Sequence, residues 1–244
     1  ENISTGLESH KEAIIHDIKG IKHKKKLAIN LGISSGRNYL LYGYPGTGKS
    51  TLIREIVATH GYDLYVAKIN SDKCGKDAKY IYNILTPERL KSSSQVGVVL
   101  LEDFDRYLER HSSDRTSDLL NALDGIENNS NVVRFFSLNS IEHVKKNQAL
   151  MSRFSRIFVF NCPDEALVKK HLIKIFPNEE NAIDKFINKL QERNYIGKVS
   201  YRQINNFLSR YYLNNNVISV ALDNIDNWFK ELDQFTEINN KTSN

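Results

Sequence analysis

Residues 39–50 read Tyr39-Leu40-Leu41-Tyr42-Gly43-Tyr44-Pro45-Gly46-Thr47-Gly48-Lys49-Ser50. The second part of this segment fits the pattern G-x-x-x-x-G-K-[ST], whose backbone N–H groups cradle phosphates. The first part is a short apolar run of the kind that builds a buried strand. Glycines allow the close backbone wrap, and a helix beginning near Lys49 would add the positive potential of its N-terminus. The segment therefore predicts a strand, a nucleotide-binding loop and a helix, in that order.

We expect the loop and the first helical turn to hold the phosphates of a nucleotide. The residues concerned are Gly43, Tyr44, Pro45, Gly46, Thr47, Gly48, Lys49, Ser50 and Thr51. Lys49 should reach the β- and γ-phosphates, and the Ser50 hydroxyl should be a ligand of Mg²⁺. The alternative is a Gly/Pro-rich turn without a ligand, and the strand–loop–helix context argues against it.

Four further apolar runs extend the pattern along the chain. They are residues 64–67, 98–101, 132–136 and 157–160, and connections of 20 or more residues separate them. This spacing suits parallel strands with crossover helices, because a tight turn cannot reach a parallel neighbour. We therefore predict an α/β fold of the P-loop NTPase type with a five-stranded parallel sheet.

After Pro163 the pattern becomes helical. Four amphipathic stripes follow: Leu167, His171, Leu172 and Ile175; Ile183, Phe186, Ile187 and Leu190; Ile204, Phe207, Leu208 and Tyr211; Ile225, Trp228, Phe229 and Leu232. Helical spacing of apolar residues predicts that each stripe packs into a core. The sequence thus predicts a large α/β nucleotide-binding domain over residues 1–162 and a small helical domain over residues 163–244.

A second candidate site follows the third apolar run. The segment reads Val98-Val99-Leu100-Leu101-Glu102-Asp103-Phe104-Asp105. Ligand sites of open parallel sheets lie at the carboxyl ends of strands, where Glu102 and Asp103 are expected. One carboxylate there can hold Mg²⁺, and its neighbour can orient and polarise the attacking water. The alternative is an acidic helix N-terminus without a catalytic role.

Three segments resemble the AAA ATPases: residues 36–50, residues 101–105 and the stretch Leu119-Leu120-Asn121-Ala122-Leu123-Asp124-Gly125. They are similar to the branch typified by the mitochondrial inner-membrane ATPase that inserts the Rieske iron–sulfur protein into respiratory complex III. The order Glu-Asp, where most AAA proteins have Asp-Glu, is part of the resemblance. The resemblance to AAA ATPases implies ATP and Mg²⁺ as cofactors, ATP hydrolysis as the activity, and a helical lid after the large domain.

The resemblance also implies roles for single residues. By position, Glu102 would be a metal ligand and Asp103 the water-activating carboxylate, although the shorter Asp leaves the reverse assignment open. Asn139, at the end of the fourth strand, would contact the γ-phosphate or the attacking water. The alternative for Asn139 is a cap of a turn or helix.

Arg153 and Arg156 lie in a segment that resembles the arginine fingers of AAA proteins, which reach into the nucleotide site of the next subunit. A guanidinium keeps its charge and matches phosphate oxygens with its fork. The Pro-Gly usually found between the two arginines is absent here, and ordinary surface salt bridges are the alternative. If the fingers act, one chain has an incomplete site, and oligomerisation follows. The resemblance implies a homo-oligomeric ring, for which we expect six or seven subunits.

Two positions carry weaker signals. Arg202, at a predicted helix start, would face the phosphates from the helical domain, although most AAA proteins have a small residue there. Residues 72–76 lie where ring ATPases carry a pore loop, with Lys73 near the place of the usual aromatic residue. That replacement fits a translocase that moves a folded cargo.

Composition limits the setting. The net charge is +5, yet the basic residues are scattered apart from a run at residues 22–26, which is typical of a solvated helix end. Nucleic-acid binding therefore stays open but unsupported.

Cys74 and Cys162 form no metal or disulfide pattern and favour a reducing compartment. No apolar stretch approaches 18 residues, so a membrane contact would need segments outside the sequence. An anchor before Glu1 would place the protein in the mitochondrial inner membrane, and otherwise we expect the cytoplasm.

The sequence predicts ATP hydrolysis that drives remodelling or translocation of a protein cargo by an oligomeric ring. The alternative is a nucleic-acid-associated AAA ATPase of the clamp-loader or replication type, favoured by Ser152-Arg153 and the basic charge. A nucleotide-locked scaffold without turnover is a third hypothesis.

Overall fold

The computed structural model describes residues 6–21, 27, 30, 37–68, 78–91, 96–109, 113–124 and 131–242. The basic run at residues 22–26, the segment at residues 72–76 with Lys73 and Cys74, and Gly125 lie outside the described residues.

A parallel sheet with the strand order β2-β3-β4-β1-β5 forms the centre of the N-terminal part. The strands are β1 Arg37–Gly43, β2 Asp63–Ala67, β3 Gly97–Leu101, β4 Val132–Leu138 and β5 Arg156–Phe160. All residues of β3 and β4 are buried, because helices cover both faces of a parallel sheet. The predicted α/β fold with a five-stranded parallel sheet is confirmed.

Helices pack on both faces of this sheet. They are α1 Gly6–Lys19, α2 Lys49–His60, α3 Ala78–Leu85, α4 Glu88–Lys91, α5 Phe104–Glu109, α6 Ser113–Asp124, α7 Glu142–Lys145 and α8 Gln148–Met151. Successive residues of β1 point to opposite faces, so Tyr39 and Leu41 join the core under α1 and α2. Leu40 joins the opposite core, together with residues of α3, α5 and α6.

The C-terminal part consists of helices with a core of their own. They are α9 Glu165–Ile175, α10 Glu180–Glu192, α11 Tyr201–Leu208, α12 Val217–Leu222 and α13 Ile225–Thr242. Phe207 stacks on Trp228 with ring centroids 4.4 Å apart, and Phe186 lies against both rings. The division of the chain at residues 162 and 163 stays a prediction.

The predicted core stripe on α9 is wrong in part. On α9 the buried residues are Val168 and Leu172, whereas Leu167 and His171 are half-buried and Ile175 is 47% exposed. The spacing of 167, 171 and 175 places these three on one helix face, and that face lines a cleft instead of the core. The stripes on α10 and α13 are buried as predicted.

Candidate functional site

A large cleft lies between the carboxyl ends of β1, β3 and β4 and the helices α9 and α11. The register pairs Leu101 with Phe136 and Leu41 with Ser137, so the three strands end side by side. The cleft has a volume of about 1210 Å³, which is large for a small-molecule pocket. The loop after β1 and the acidic pair, which are far apart in sequence, therefore face one space.

The loop after β1 has the backbone that a phosphate cradle requires. Gly46 and Gly48 have φ values of 80° and 95°, in a region that side chains with a Cβ atom rarely adopt. A Cβ atom on Gly43 would lie 2.0 Å from the carbonyl oxygen of Phe160. Thr47 is buried, and its hydroxyl donates to the Tyr44 carbonyl over 2.8 Å. The α2 helix begins at Lys49, so its free N–H groups lie beside the loop.

Lys49 is the buried cation of the site, with 8% of its surface exposed. Its Nζ donates to the carbonyls of Gly43 at 2.5 Å and Tyr44 at 2.8 Å, and to Oδ1 of Asn139 at 3.0 Å. Burial lowers the pKa of Lys49 to about 8, and the nearby charge of Asp105 opposes that shift. The ammonium thus joins the phosphate loop to the end of β4.

The acidic pair lines the cleft directly after β3. Asp103 has a φ of 55°, and its Oδ2 accepts a hydrogen bond from Lys68 Nζ over 2.8 Å. The Lys68 ammonium holds the pKa of the Asp103 carboxyl below its ordinary value. Glu102 lies 3.6 Å from the guanidinium of Arg54 on α2. Each carboxylate therefore faces the cleft with a cationic side chain beside it.

Asp105 belongs to this arrangement, although the sequence pattern gave it no role. Its side chain is buried and accepts hydrogen bonds from the backbone N–H groups of Asn139, Ser140 and Arg106. The only local signal was a third carboxylate shortly after the acidic pair. Two of these partners, Asn139 and Ser140, lie 34 and 35 residues away, so spacing within the motif could not identify them.

Arg153 and Arg156 are not among the residues that line this cleft. Arg153 Nη1 donates to the Ala149 carbonyl at 2.9 Å and contacts Ser152 Oγ at 3.1 Å. Arg156 is exposed, and its guanidinium lies 5.0 Å from the centre of the Phe158 ring. The structure thus brings together the loop, the acidic pair and Asn139, and leaves both arginines outside.

The C-terminal helices supply the opposite wall. The backbone N–H of Arg202 donates to the Gly46 carbonyl over 3.3 Å, and the Arg202 side chain lines the cleft. A Cβ atom on Gly46 would lie 2.4 Å from Cβ of Arg202, so the start of α11 touches the phosphate loop. Lys174 and His171 of α9 also line this wall, and His171 Nε2 lies 2.8 Å from Asn205 Oδ1.

A smaller pocket of about 180 Å³ adjoins the cleft and shares Leu7, Leu167 and Tyr201 with it. Phe160 adds a further apolar wall, and His10 lines the pocket with a ring nitrogen 2.8 Å from the Val159 carbonyl. The largely apolar lining suits an aromatic group.

The donors at the cleft fit a hydrated Mg²⁺ bound to a polyphosphate. Mg²⁺ keeps several waters and takes one or two protein oxygens in addition to phosphate oxygens. Ser50 and Glu102 both line the cleft and offer such oxygens. Among the described residues, no group of three or more His, Cys, Asp or Glu side chains forms a cage for a metal ion.

Comparison with known proteins agrees with this geometry. The profile of the family described as "ATPase family associated with various cellular activities (AAA)" matches residues 39–162. The "Probable mitochondrial chaperone BCS1-A" of Dictyostelium discoideum is 32% identical over 146 residues, which cover 54% of this chain and 33% of that protein. The "Mitochondrial chaperone BCS1" of Danio rerio is 30% identical over 147 residues, covering 54% and 33%. These matches confirm the predicted resemblance to the AAA family and its BCS1 branch.

The chain is also similar to proteins that are not named as BCS1 chaperones. A "Putative 26S proteasome regulatory subunit homolog" of Methanothermobacter thermautotrophicus is 30% identical over 165 residues, 63% of this chain and 43% of that protein. The chain therefore spans less than half the length of these three relatives. The structure titled "Structure of E. coli MS115-1 HORMA:CdnC:Trip13 complex" superposes with a TM-score of 0.67 at 14% identity, covering 91% of this chain and 88% of the other. At that identity the match shows the fold alone. No helix within the described ranges is long and apolar enough to cross a membrane.

Proposed function

This chain belongs to the AAA family of ATPases, and from that premise we propose that it binds and hydrolyses Mg·ATP in the large cleft. The observation that carries the proposal is the meeting of Lys49, Glu102, Asp103 and Asn139 at one edge of the sheet. A buried cation, two carboxylates and an amide in one cleft form the set of groups that phosphoryl transfer to water requires.

Each residue has a distinct proposed role. Lys49 and the loop N–H groups bind the β- and γ-phosphates. Ser50 and Glu102 would hold Mg²⁺, and the ion would neutralise charge on the phosphates. Asp103 orients the attacking water and accepts its proton. Asn139 contacts the γ-phosphate or this water, since its amide already lies 3.0 Å from the Lys49 ammonium. Arg202 approaches the phosphates from the helical side.

The smaller pocket is the proposed site of the adenine base. Its lining residue Phe160 lies against Gly43 of the phosphate loop, and its walls come from α1, β5, α9 and Tyr201 of α11. Burial raises the pKa of Tyr201 to about 12, so the phenol stays neutral beside the base. Residues from both ends of the chain would therefore surround one nucleotide.

Arg153 and Arg156 are proposed to act on the nucleotide of a neighbouring copy. They lie outside their own cleft, and Arg156 is exposed at the first position of β5. This supports a homo-oligomeric ring in which each site is completed by the next subunit.

The cargo is proposed to be a protein. Two relatives are named as mitochondrial chaperones, and a third as a proteasome regulatory subunit homolog, so the names point to proteins that handle other proteins. Basic residues are scattered along the sequence apart from the run at residues 22–26, and this pattern does not favour DNA.

Phosphate release from Mg·ATP, measured over a wide range of protein concentration with and without DNA, tests this proposal. We expect turnover per chain to rise with protein concentration, because assembly completes the sites, and to be unaffected by DNA. Stimulation by DNA would favour the clamp-loader type of function. Negligible turnover at high concentration would favour a scaffold and contradict the proposal.

A further inference from the structure

We propose that Asp105 is a positioning residue that fixes Asn139 relative to the acidic pair and the phosphate loop. The inference rests on the proposed function, because it concerns the geometry of the same hydrolysis site. Asp105 does not line the cleft, so it would act through Asn139 and not through contact with the nucleotide.

The bonds of Asp105 are those of a structural clamp. The side chain is 5% exposed, and its Oδ2 accepts from the N–H groups of Asn139 at 2.9 Å and Ser140 at 3.1 Å. Oδ1 accepts from the N–H of Arg106 at 3.2 Å. Two backbone groups directly after β4 thus converge on one carboxylate oxygen. A buried carboxylate that accepts several N–H bonds holds them more firmly than a neutral acceptor does.

The clamp connects three parts of the site. Asp105 lies in the first turn of α5, directly after the acidic pair, and its partner Asn139 lies at the end of β4. The Asn139 side chain in turn accepts from Lys49 Nζ over 3.0 Å. The φ of 55° at Asp103 directs the chain from β3 into α5. Carboxylate, amide and ammonium are thereby held in one unit.

Such a unit is sensitive to small displacements. A misplacement of about 1 Å of a group that contacts the reacting atoms can cost about 10² in rate. If Asp105 sets the position of Asn139, moving its oxygens while keeping its charge should lower kcat and leave ATP binding intact, since Asp105 does not line the cleft.

The pair Asp105→Asn and Asp105→Glu separates position from charge. The Asn variant loses the charge but keeps an oxygen that can accept from Asn139 and Ser140. The Glu variant keeps the charge but moves the oxygens by about one carbon–carbon bond, or about 1.5 Å. Both are compared with the unaltered chain at pH 7 for kcat, for the Kd of Mg·ATP and for the melting temperature.

We expect the Asn variant to keep kcat within about threefold and the Glu variant to lose about 10- to 100-fold. The Kd should change by less than about twofold in the Glu variant, which keeps the negative charge near Lys49. Asp105→Ser, which is too short to reach Asn139, should show the same loss as the Glu variant and replaces it if that variant does not fold. In an Asn139→Ala background, the Glu or Ser change should have little further effect on kcat, because the two residues act in series.

Several results would overturn the inference. They are full turnover in the Glu and Ser variants, an equal loss in the Asn variant, or an undiminished effect in the Asn139→Ala background. Absence of turnover in the unaltered chain would instead contradict the proposed function, so the two failures are distinguishable.

Discussion

The two walls of the cleft are built differently. On the sheet side, Thr47 and Lys49 are buried, and their polar atoms are bonded to the loop and to β4. On the helical side, Lys174 and Arg202 are exposed, and Ile175 is 47% exposed. One backbone hydrogen bond, from Arg202 to Gly46, links α11 to the phosphate loop. We infer that the sheet side holds the chemistry in fixed positions, whereas the helical side can shift at small cost.

The largest loss of kcat is expected from Arg153, which lies on neither wall of the cleft. Arg153→Ala should bind Mg·ATP normally but lose up to about 10³–10⁵ in kcat, the range of arginine fingers in other phosphoryl-transfer systems. Phosphate release and calorimetric binding measure the two quantities. Arg193→Ala, which removes an exposed arginine paired with Asp226 in the C-terminal part, is the control and should be silent.

Mixing two inactive variants tests whether this arginine acts between copies. A Lys49→Ala chain supplies Arg153, and an Arg153→Ala chain supplies an intact loop. The mixture should recover part of the turnover at mixed interfaces. An inactive mixture, or full activity of the Arg153 variant alone, would mean that Arg153 does not act on the nucleotide of a neighbouring copy.

On the sheet side, Asp103→Asn should lower kcat by about 10²–10⁴, because it removes the base that accepts the proton of water. Nucleotide should remain bound, since the phosphate loop is intact. Glu102→Gln is the matched control, and its main effect should be a weaker response to Mg²⁺ in a metal titration. If Glu102→Gln abolishes hydrolysis while Asp103→Asn remains active, the two roles are reversed.

A comparison of two lysines contrasts the walls directly. Lys49→Ala should weaken Mg·ATP binding by about 2–5 kcal/mol, the usual cost of removing a buried charge partner. Lys174→Ala on the exposed wall should cost less than about 1 kcal/mol. Fluorescent-nucleotide titration measures both. Equal losses would mean that the two walls hold the nucleotide equally firmly.

The smallest effect is expected where α1 meets α9. Lys170 Nζ lies 2.7 Å from Glu8 Oε1, and the side chains are 66% and 50% exposed. Surface ion pairs of this kind contribute about 0–1 kcal/mol and weaken with salt. Lys170→Met should therefore change the Kd of Mg·ATP by less than about fivefold at low salt and less still at high salt. A tenfold loss independent of salt would show that the helical wall is held rigidly.

The sheet and the phosphate loop could be predicted because their signals are local. The apolar runs are contiguous, and the glycines that must adopt positive φ stand within a few residues of Lys49. Which face of α9 packs into the core could not be predicted in the same way. Helical spacing identifies an apolar face but does not say whether that face meets a core or a cleft, and here Leu167 and Ile175 meet the cleft.

The links between distant segments were also beyond the sequence. The contact of Asp105 with Asn139 depends on β3 and β4 being neighbours. The sequence placed Arg202 toward the phosphates, but its backbone hydrogen bond to Gly46 depends on where α11 docks. The roles of Arg153 and Arg156 depend on a second copy of the chain, so they remain predictions.

Calorimetric titration of the unaltered chain with ATP, with and without Mg²⁺, addresses the main proposal most directly. We predict saturable uptake of one nucleotide per chain, tighter with Mg²⁺ present and much weaker in Lys49→Ala. No uptake by concentrated protein, or equal uptake by the Lys49 variant, would contradict nucleotide binding between β1 and α2.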